Sequence, residues 1–371
     1  MNTLVDQGLV ARFGSGNSVR RIEDRSLVQG QGLFAADANM PGQTWLKFIR
    51  STMSHAVIRS INSDAAKAMP GVLAVITGQD LVDAGVKPIP GVAGFKRPDG
   101  APAASAPRRG LAHERVRYVG EALACVIAES QEQAAAAALA IEIDYEALDG
   151  VSNPHDAMKP GAPVLCEAAP DNIAALARYG DVAAVDAAFS KAAHVVSLSI
   201  GNQRLIPAPM EPRSTLAWYD TATERITMRM STQMPAGVRN SLCDAVLGLP
   251  RDKVRILAHD VGGGFGGKTG IYPEDVVLAH AARLLARPVK WVAERSEEFL
   301  SATHGRDIDT CAQMALNAEG KVLALRVHTV ANVGAYALGS GVAIQVMIGP
   351  WVQTSIYDIQ TIDFQYTAVM T

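Results

Sequence analysis

Residues 260–268 have the composition best suited to holding another molecule. Five glycines occupy the six positions from Gly262 to Gly267, with Phe265 among them. Glycine has no Cβ, so it adopts positive φ readily and lets a ligand approach the backbone amides. A tight loop between packed elements also needs small residues, and Phe265 also suits a core position, but five glycines around one aromatic favour a bound ligand. The run is therefore a candidate binding loop.

The glycine run also fits the dinucleotide-binding pattern G-x-G-x-x-G, and it follows a predicted strand. In that motif the third glycine begins the helix whose N-terminus receives the pyrophosphate. Here five residues separate Gly267 from Pro273, which suits the first turn of the next helix. The acidic residue expected about 20 positions later is also missing. A nicotinamide-dependent dehydrogenase is therefore a less favoured alternative.

The other polar candidates lie outside the run. Gln233 follows a predicted strand, where its amide can donate and accept in a cleft or cap the neighbouring helix. Glu211 and Arg213 suit a structural ion pair at least as well as chemistry, and residues 304–307 (His-Gly-Arg-Asp) suggest a turn with a salt bridge. The eight histidines show no metal-ligand spacing, so no metal ligand is predicted from the protein, and no complete catalytic set is evident.

Composition restricts the possible functions. The 371 residues are 49% hydrophobic and 19% charged, with a net charge of -3, which indicates more than one domain and gives no basis for nucleic-acid binding. No apolar run is long enough for a membrane span, and no signal peptide is evident, so a cytoplasmic location is expected. The four cysteines lie tens of residues apart, so any iron–sulfur cluster must be held by another chain.

Strands and helices alternate in mixed order along the chain, which predicts an α+β fold. We predict an N-terminal arm at residues 1–25, a compact domain at 26–148, a proline-containing linker at 149–171 and a second domain at 172–371. Residues 86–109, rich in Pro, Gly and Ala, are predicted to form a long loop.

Several elements must position the candidate residues. The predicted elements around them, and at the C-terminus, are a strand at 225–231, a helix at 236–247, a strand at 253–259, a helix at 274–285 and a strand at 363–371.

Taken in order, these motifs resemble the molybdenum-cofactor-binding large subunit of the xanthine dehydrogenase, aldehyde oxidase and carbon monoxide dehydrogenase family. The matching segments are residues 201–204, 210–213, 231–233, 260–268, 288–291 and 304–307. The stretch from about Arg21 to Tyr145 is similar to the family's α/β-hammerhead domain, which implies a first molybdopterin-binding domain over 172–371. The resemblance covers nearly the whole chain.

The resemblance implies an oxidoreductase that hydroxylates a carbon centre of an N-heteroaromatic, an aldehyde or a similar small molecule with oxygen from water. It implies that Gly263, Gly264, Phe265 and Gly266 lie beside a molybdenum–molybdopterin cofactor, with a cytosine dinucleotide as the form usual in bacterial relatives. It gives Gln233 a catalytic and cofactor-binding role, in which the amide hydrogen-bonds an oxygen on the metal. Thr269 replaces the acidic residue of purine-oxidising members, which argues against a purine substrate.

The resemblance also implies partners. The family's subunit is about twice as long, and its later half supplies the general base and the substrate-pocket loop. We therefore expect the chain to be the first half of a split subunit, or a fragment, that works with a second half, an iron–sulfur subunit and a flavin subunit. The alternative from another class is a non-catalytic scaffold that keeps the fold and binds no cofactor.

Overall fold

The computed structural model describes residues 20–371. Their strands, in chain order, are β1 (Thr44–Arg50), β2 (Ala56–Asn62), β3 (Val72–Thr77), β4 (Arg115–Val116), β5 (Ala122–Ala128), β6 (Glu142–Ala147), β7 (Ile173–Gly180), β8 (His194–Asn202), β9 (Ser214–Asp220), β10 (Arg225–Met230), β11 (Val254–Leu257), β12 (Val289–Val292), β13 (Ile308–Leu316), β14 (Val322–Asn332) and β15 (Ile362–Val369).

The helices of the same region are mostly short. They are α1 (Asp24–Val28), α2 (Asp64–Lys67), α3 (Gly78–Asp83), α4 (Gln131–Ala138), α5 (Pro154–Ala157), α6 (Val182–Ser190), α7 (Pro235–Asn240), α8 (Pro273–Leu285), α9 (Arg295–Ser301), α10 (Gly339–Ala343) and α11 (Gly349–Trp351). Helix α7 continues into a π-helical segment at Ser241–Leu247, and a second such segment at Ile344–Ile348 joins α10 to α11. Within residues 20–371, no helix is long and apolar enough to span a bilayer.

Three sheets organise the chain. The largest has seven strands in the order β11-β10-β9-β12-β1-β5-β3, the second has the order β7-β15-β14-β13-β8, and the smallest has the order β4-β2-β6. The first two sheets combine parallel and antiparallel pairs, such as parallel β1 with β12 and antiparallel β1 with β5. This mixed architecture confirms the predicted α+β class.

The seven-stranded sheet crosses the predicted domain boundary. Strands β1, β3 and β5 come from the predicted first domain, whereas β9 to β12 come from the second. Its largest buried cluster includes Phe48, Trp291 and the apolar face of α8. The predicted limits at residues 26–148, 149–171 and 172–371 stay a prediction, but the hydrophobic core beside α8 is shared by both parts of the chain.

Local sequence signals fix many element ends. Thr77 and Asp80 form a reciprocal capping box at the start of α3, which satisfies backbone donors that the first turn leaves free. Pro273 occupies the first turn of α8, as its fixed φ favours. Residues 86–109 contain no helix or strand, as predicted.

Strand β7 and the N-terminal region are among the segments that differ from the sequence-based expectations. Strand β7 was not predicted, because its alanine-rich sequence has low strand propensity, and its antiparallel pairing with β15 supplies the missing stabilisation. An extended arm is expected at residues 1–25, of which residues 1–19 lie outside the described part of the chain. Within the described part, helix α1 begins at Asp24.

Candidate functional site

The glycine loop, residues 260–268, connects β11 to α8 and does not itself begin a helix. Residues 268–272 separate Gly267 from the first residue of α8. The glycines therefore do not supply the free backbone N–H groups of the α8 N-terminus. This geometry agrees with the sequence argument against a dinucleotide-binding turn.

Phe265 is the most unusual residue of the glycine loop. Its φ is 51°, in the left-handed region that non-glycine side chains rarely adopt, and 76% of its surface is exposed. An exposed aromatic side chain in a strained backbone conformation suits contact with another molecule better than a core position. The alternative that Phe265 fills a gap in the core is therefore wrong.

Gln233 lies against the glycine loop. Its side-chain oxygen accepts hydrogen bonds from the backbone N–H groups of Gly266 at 3.1 Å and Lys268 at 3.2 Å, while its own backbone N–H donates to the Lys268 carbonyl at 2.9 Å. A Cβ on Gly264 would lie 2.4 Å from that side-chain oxygen, so the approach requires glycine. Because the oxygen is occupied, the exposed amide offers its NH₂ group, which only donates.

Backbone donors of the glycine loop are also available. The N–H groups of Gly263, Gly264 and Phe265 make no hydrogen bond within residues 20–371, whereas those of Gly262, Gly266, Gly267 and Lys268 are all paired. Gly264 is buried. A buried backbone N–H normally has a partner, so these donors fit an acceptor-rich ligand.

A buried carboxylate holds the start of the glycine loop. Glu211 accepts hydrogen bonds from the Gly262 N–H at 2.8 Å, the Ser231 hydroxyl at 2.6 Å and the Ala35 N–H at 3.2 Å. The three donors come from the loop, from the residue after β10 and from the N-terminal region. Glu211 therefore fixes where the loop begins relative to the strand end that precedes Gln233.

The buried side chain of Lys268 holds the other end of the glycine loop. Its ammonium group donates to the Glu211 backbone oxygen at 2.8 Å, to the Glu211 carboxylate at 3.2 Å and to the Ser231 hydroxyl at 2.6 Å. These partners use all three ammonium donors. Burial lowers the pKa of Lys268, and the charge of Glu211 opposes that change. The pair fixes both ends of the glycine loop.

A second charged network connects the loop to α8. The Arg213 guanidinium lies 3.8 Å from the centre of the Tyr272 ring and donates to Glu274 and Glu298. The Tyr272 hydroxyl donates to the Gly267 carbonyl at 2.6 Å. Glu211 and Arg213 therefore do not pair with each other, because each has a buried partner from a distant part of the chain.

Two adjacent carboxyl groups in this network have opposite pKa changes. Burial opposes ionisation of Glu274, but Arg213 and Arg50 outweigh it and lower the pKa of Glu274 to about 2. Burial raises the pKa of Asp275 to about 7. Asp275 accepts a hydrogen bond from the backbone N–H of Tyr272 at 2.9 Å, which makes it part of the start of α8.

The remaining motifs also lie near the glycine loop. Arg204 forms an ion pair with Asp307 at 2.8 Å, and Leu205 exchanges two backbone hydrogen bonds with Gly305. The salt bridge expected within 304–307 is not formed in the described residues, because Asp307 pairs with Arg204. A Cβ on Gly267 would lie 3.2 Å from Pro207, so residues 204–209 run beside the loop.

The structure thus brings Gln233 into direct contact with the glycine loop that contains Gly263, Gly264, Phe265 and Gly266. Sequence reasoning did not assign the roles of Glu211, Lys268 and Tyr272 in holding that loop. Glu211 and Lys268 stood in recognised motifs, but their pairing joins positions 57 residues apart. Across residues 20–371 no three His, Cys, Asp or Glu side chains are placed to hold a metal ion.

An open cleft of about 460 Å³ lies elsewhere, near the C-terminal end of α8. Its walls include Leu247 and Leu284, and its polar side chains are His280 and Arg283. The glycine loop precedes the opposite end of α8. The loop with its exposed Phe265 and Gln233 therefore presents a surface for a ligand, and the cleft is separate from it.

Two family models match the chain. One, described as a molybdopterin cofactor-binding domain, matches residues 165–371. The other, described as the α/β hammerhead domain of aldehyde oxidase and xanthine dehydrogenase, matches residues 29–149. The first model covers the glycine loop and the elements around it, and the second covers the strands that the N-terminal part of the chain adds to the seven-stranded sheet.

Known proteins are similar to this chain in sequence or in fold. The nicotine 6-hydroxylase large subunit of Paenarthrobacter nicotinovorans is 35% identical over 98% of this chain and 44% of the relative. The nicotinate dehydrogenase large molybdopterin subunit of Eubacterium barkeri is 30% identical over 92% of this chain and 76% of the relative. The structure of CO dehydrogenase from Oligotropha carboxidovorans superposes with a TM-score of 0.88 at 31% identity, over 96% of this chain and 44% of that one. The chain thus spans less than half of two of these three proteins.

Proposed function

Because the chain belongs to the aldehyde oxidase and xanthine dehydrogenase family of molybdopterin-binding subunits, we propose that it forms part of the catalytic subunit of a molybdenum hydroxylase. The observation that carries this proposal is the arrangement of the glycine loop. Phe265 is exposed in a left-handed conformation, and it lies beside the Gln233 amide, whose oxygen is paired and whose NH₂ group makes no hydrogen bond within residues 20–371. This arrangement presents donors and one aromatic surface to a bound group.

The residues present fit a molybdenum–pterin cofactor. Its phosphate and pterin groups are rich in acceptors, and the loop offers the free N–H groups of Gly263, Gly264 and Phe265. We assign Gly263, Gly264, Phe265, Gly266 and Gln233 as its binding residues. When bound, the cofactor supplies a two-electron oxidation that places a water-derived oxygen on a carbon centre. We propose that the cofactor is the cytosine dinucleotide form of molybdopterin.

Gln233 is the residue of this chain proposed to act in catalysis. Since the Gly266 and Lys268 amides occupy its oxygen, the NH₂ group remains free to donate to an acceptor on the bound group. A donor held in place before reaction stabilises developing negative charge without having to reorganise. The same two hydrogen bonds therefore hold the Gln233 side chain in place and stabilise the glycine loop.

We further propose that other polypeptides complete the enzyme. They are a second half of the molybdenum subunit, an iron–sulfur subunit and a flavin subunit. Within this chain Cys125, Cys243 and Cys311 lie on β5, the π-helical segment and β13, and Cys166 lies in the linker. Electrons from the oxidation therefore leave through centres that partner subunits hold.

The substrate class is proposed to be an N-heteroaromatic compound. Two relatives have names that refer to pyridine derivatives, nicotine and nicotinate. Thr269 ends the loop region with a neutral hydroxyl, which donates to the Gly266 carbonyl at 2.9 Å. An acidic contact to a purine is not available at this position.

The deciding experiment is isolation of the tagged chain with its natural partners, followed by elemental analysis and oxidative detection of the pterin. We expect about one molybdenum and one pterin for each copy of the chain. An intact complex with neither group would instead support a non-catalytic scaffold. Turnover with a panel of pyridine, quinoline, aldehyde and carbon monoxide substrates then tests the substrate class.

A further inference from the structure

Strand β8 is an edge strand whose outer side is unpaired in the described part of the chain. It forms nine residue pairs with β13 and no register shift interrupts them. Residues 194–202 have no other backbone hydrogen-bond partner within residues 20–371. A regular strand of this length presents a row of free backbone donors and acceptors.

The sequence of β8 lacks the features that normally prevent strand addition. His194–Asn202 contains no proline and no Asp, Glu, Lys or Arg. Proteins usually protect such an edge with charges, proline, bulges or a covering segment. A long uncharged edge is therefore suited to pairing with another strand.

Two other sheet edges of the described region are protected. Strand β6 ends its sheet with Glu142, Asp144 and Glu146. Strand β7, the opposite edge of the β8 sheet, is covered by the long loop, since Leu176 donates to the Lys96 carbonyl at 2.8 Å. Within residues 20–371, strand β8 has neither the charges of β6 nor the covering loop of β7.

The outer face of β8 is also apolar. Val196, Leu198 and Ile200 point to one side, as the period of two requires, and they are exposed to between 49% and 57%. Two of them stand opposite Met314 and Ala312, which pack on the second hydrophobic cluster. The apolar layer of that sheet therefore continues to an uncovered edge.

We propose that β8 is the docking edge for the polypeptide that corresponds to the unmatched part of the longer relatives, and that this polypeptide adds a strand beside it. The occupant follows from length, because more than half of the superposed CO dehydrogenase chain has no counterpart here. An added strand with alternating apolar residues pairs the free backbone groups and covers Val196, Leu198 and Ile200. This inference rests on the proposed function, since the occupant completes the proposed enzyme.

Hydrogen exchange in the purified complex tests the proposal directly. In a free edge strand, alternate amides point to solvent and exchange quickly, whereas a paired strand protects all of them. We expect slow exchange throughout residues 194–202 and rapid exchange of the outward amides of β6, the internal control. Rapid exchange of alternate amides in 194–202 would overturn the proposal.

A pair of matched variants tests the apolar contact. Leu198 and Leu139 are both exposed in this structure, so Leu198→Lys and Leu139→Lys make the same change at two surface sites. We expect Leu198→Lys to lower the thermal midpoint of the complex by about 3 °C or more, because a buried interface then contains a charge. Leu139→Lys should leave the midpoint unchanged. Equal thermal midpoints for the two variants would contradict the proposal that β8 is a docking edge.

Cross-linking identifies the occupant. A photoreactive benzophenone amino acid in place of Ser197 should form its main cross-link to the polypeptide that matches the rest of the relatives. A cross-link to a second copy of this chain would overturn the proposal. Molybdenum and pterin are measured in the same sample, so an exposed β8 edge in a molybdenum-containing complex rejects this inference alone, whereas absence of both groups rejects the proposed function.

Discussion

Glu211 and Lys268 form a buried ion pair, 3.2 Å apart, that holds the two ends of the glycine loop. The carboxylate takes the Gly262 N–H at one end, while the ammonium group belongs to the last residue of the loop. Ser231 hydrogen-bonds to both partners, so the pair is also tied to the end of β10. The position of the loop therefore depends on groups that do not face the proposed cofactor.

Removal of one charge of this pair should destabilise the protein. Glu211→Gln leaves Lys268 buried without a carboxylate, and we expect a loss of about 3 kcal/mol in the free energy of unfolding. Combination with Lys268→Met removes both charges and should recover much of that loss, as a coupled pair requires. Chemical denaturation of the wild type, the two single variants and the double variant measures the coupling. Additive effects would show that the pair does not act as a unit.

Two substitutions at Gln233 separate its two roles. Gln233→Glu retains oxygens that accept the Gly266 and Lys268 N–H groups, but it removes the unpaired NH₂ donor. We expect molybdenum content close to that of the wild type and a decrease in kcat of about 10²-fold. Gln233→Ala should lose the loop contacts as well. Wild-type turnover in both variants would remove Gln233 from the site.

Two alanine substitutions in the loop region differ only in the space available. A Cβ on Gly264 would lie 2.4 Å from the Gln233 side-chain oxygen, whereas a Cβ on Gly270 has no heavy atom within 4 Å. We therefore expect Gly264→Ala to displace Gln233 and to lower both cofactor content and kcat. Gly270→Ala should behave as the wild type. Molybdenum analysis and steady-state kinetics compare the two, and equal behaviour would contradict the close contact.

The pH dependence of stability should reflect Asp275. Burial raises the pKa of Asp275 from 3.8 to about 7 in the folded protein, so the folded state favours the protonated carboxyl group. Its contribution to stability is complete below pH 3.8 and is lost as the pH rises to about 7. We expect the wild type to lose more stability between pH 5 and pH 8 than Asp275→Asn. Urea denaturation at both pH values measures the difference, and parallel losses would argue against this pKa.

Much of the local structure could be predicted from the sequence. Elements with a clear apolar pattern, such as β10 and α8, lie within one residue of the predicted limits, because local propensity and burial favour the same conformation. Strand β7 was missed, since its alanines give little local preference and its pairing with β15 determines its conformation. The family resemblance and the α+β class are confirmed, whereas the domain limits and the site assignments stay predictions.

The sequence by itself determined that a glycine-rich loop with one aromatic follows a strand, and that Gln233 follows another strand. Only the tertiary structure decided that the Gln233 oxygen accepts two N–H groups of the loop and that its NH₂ group has no hydrogen-bond partner within residues 20–371. It also decided that Glu211 pairs with Lys268 and not with Arg213. The physical reason is that hydrogen-bond orientation and buried charge pairing depend on groups far apart in the chain, and sequence spacing contains no information on their distance.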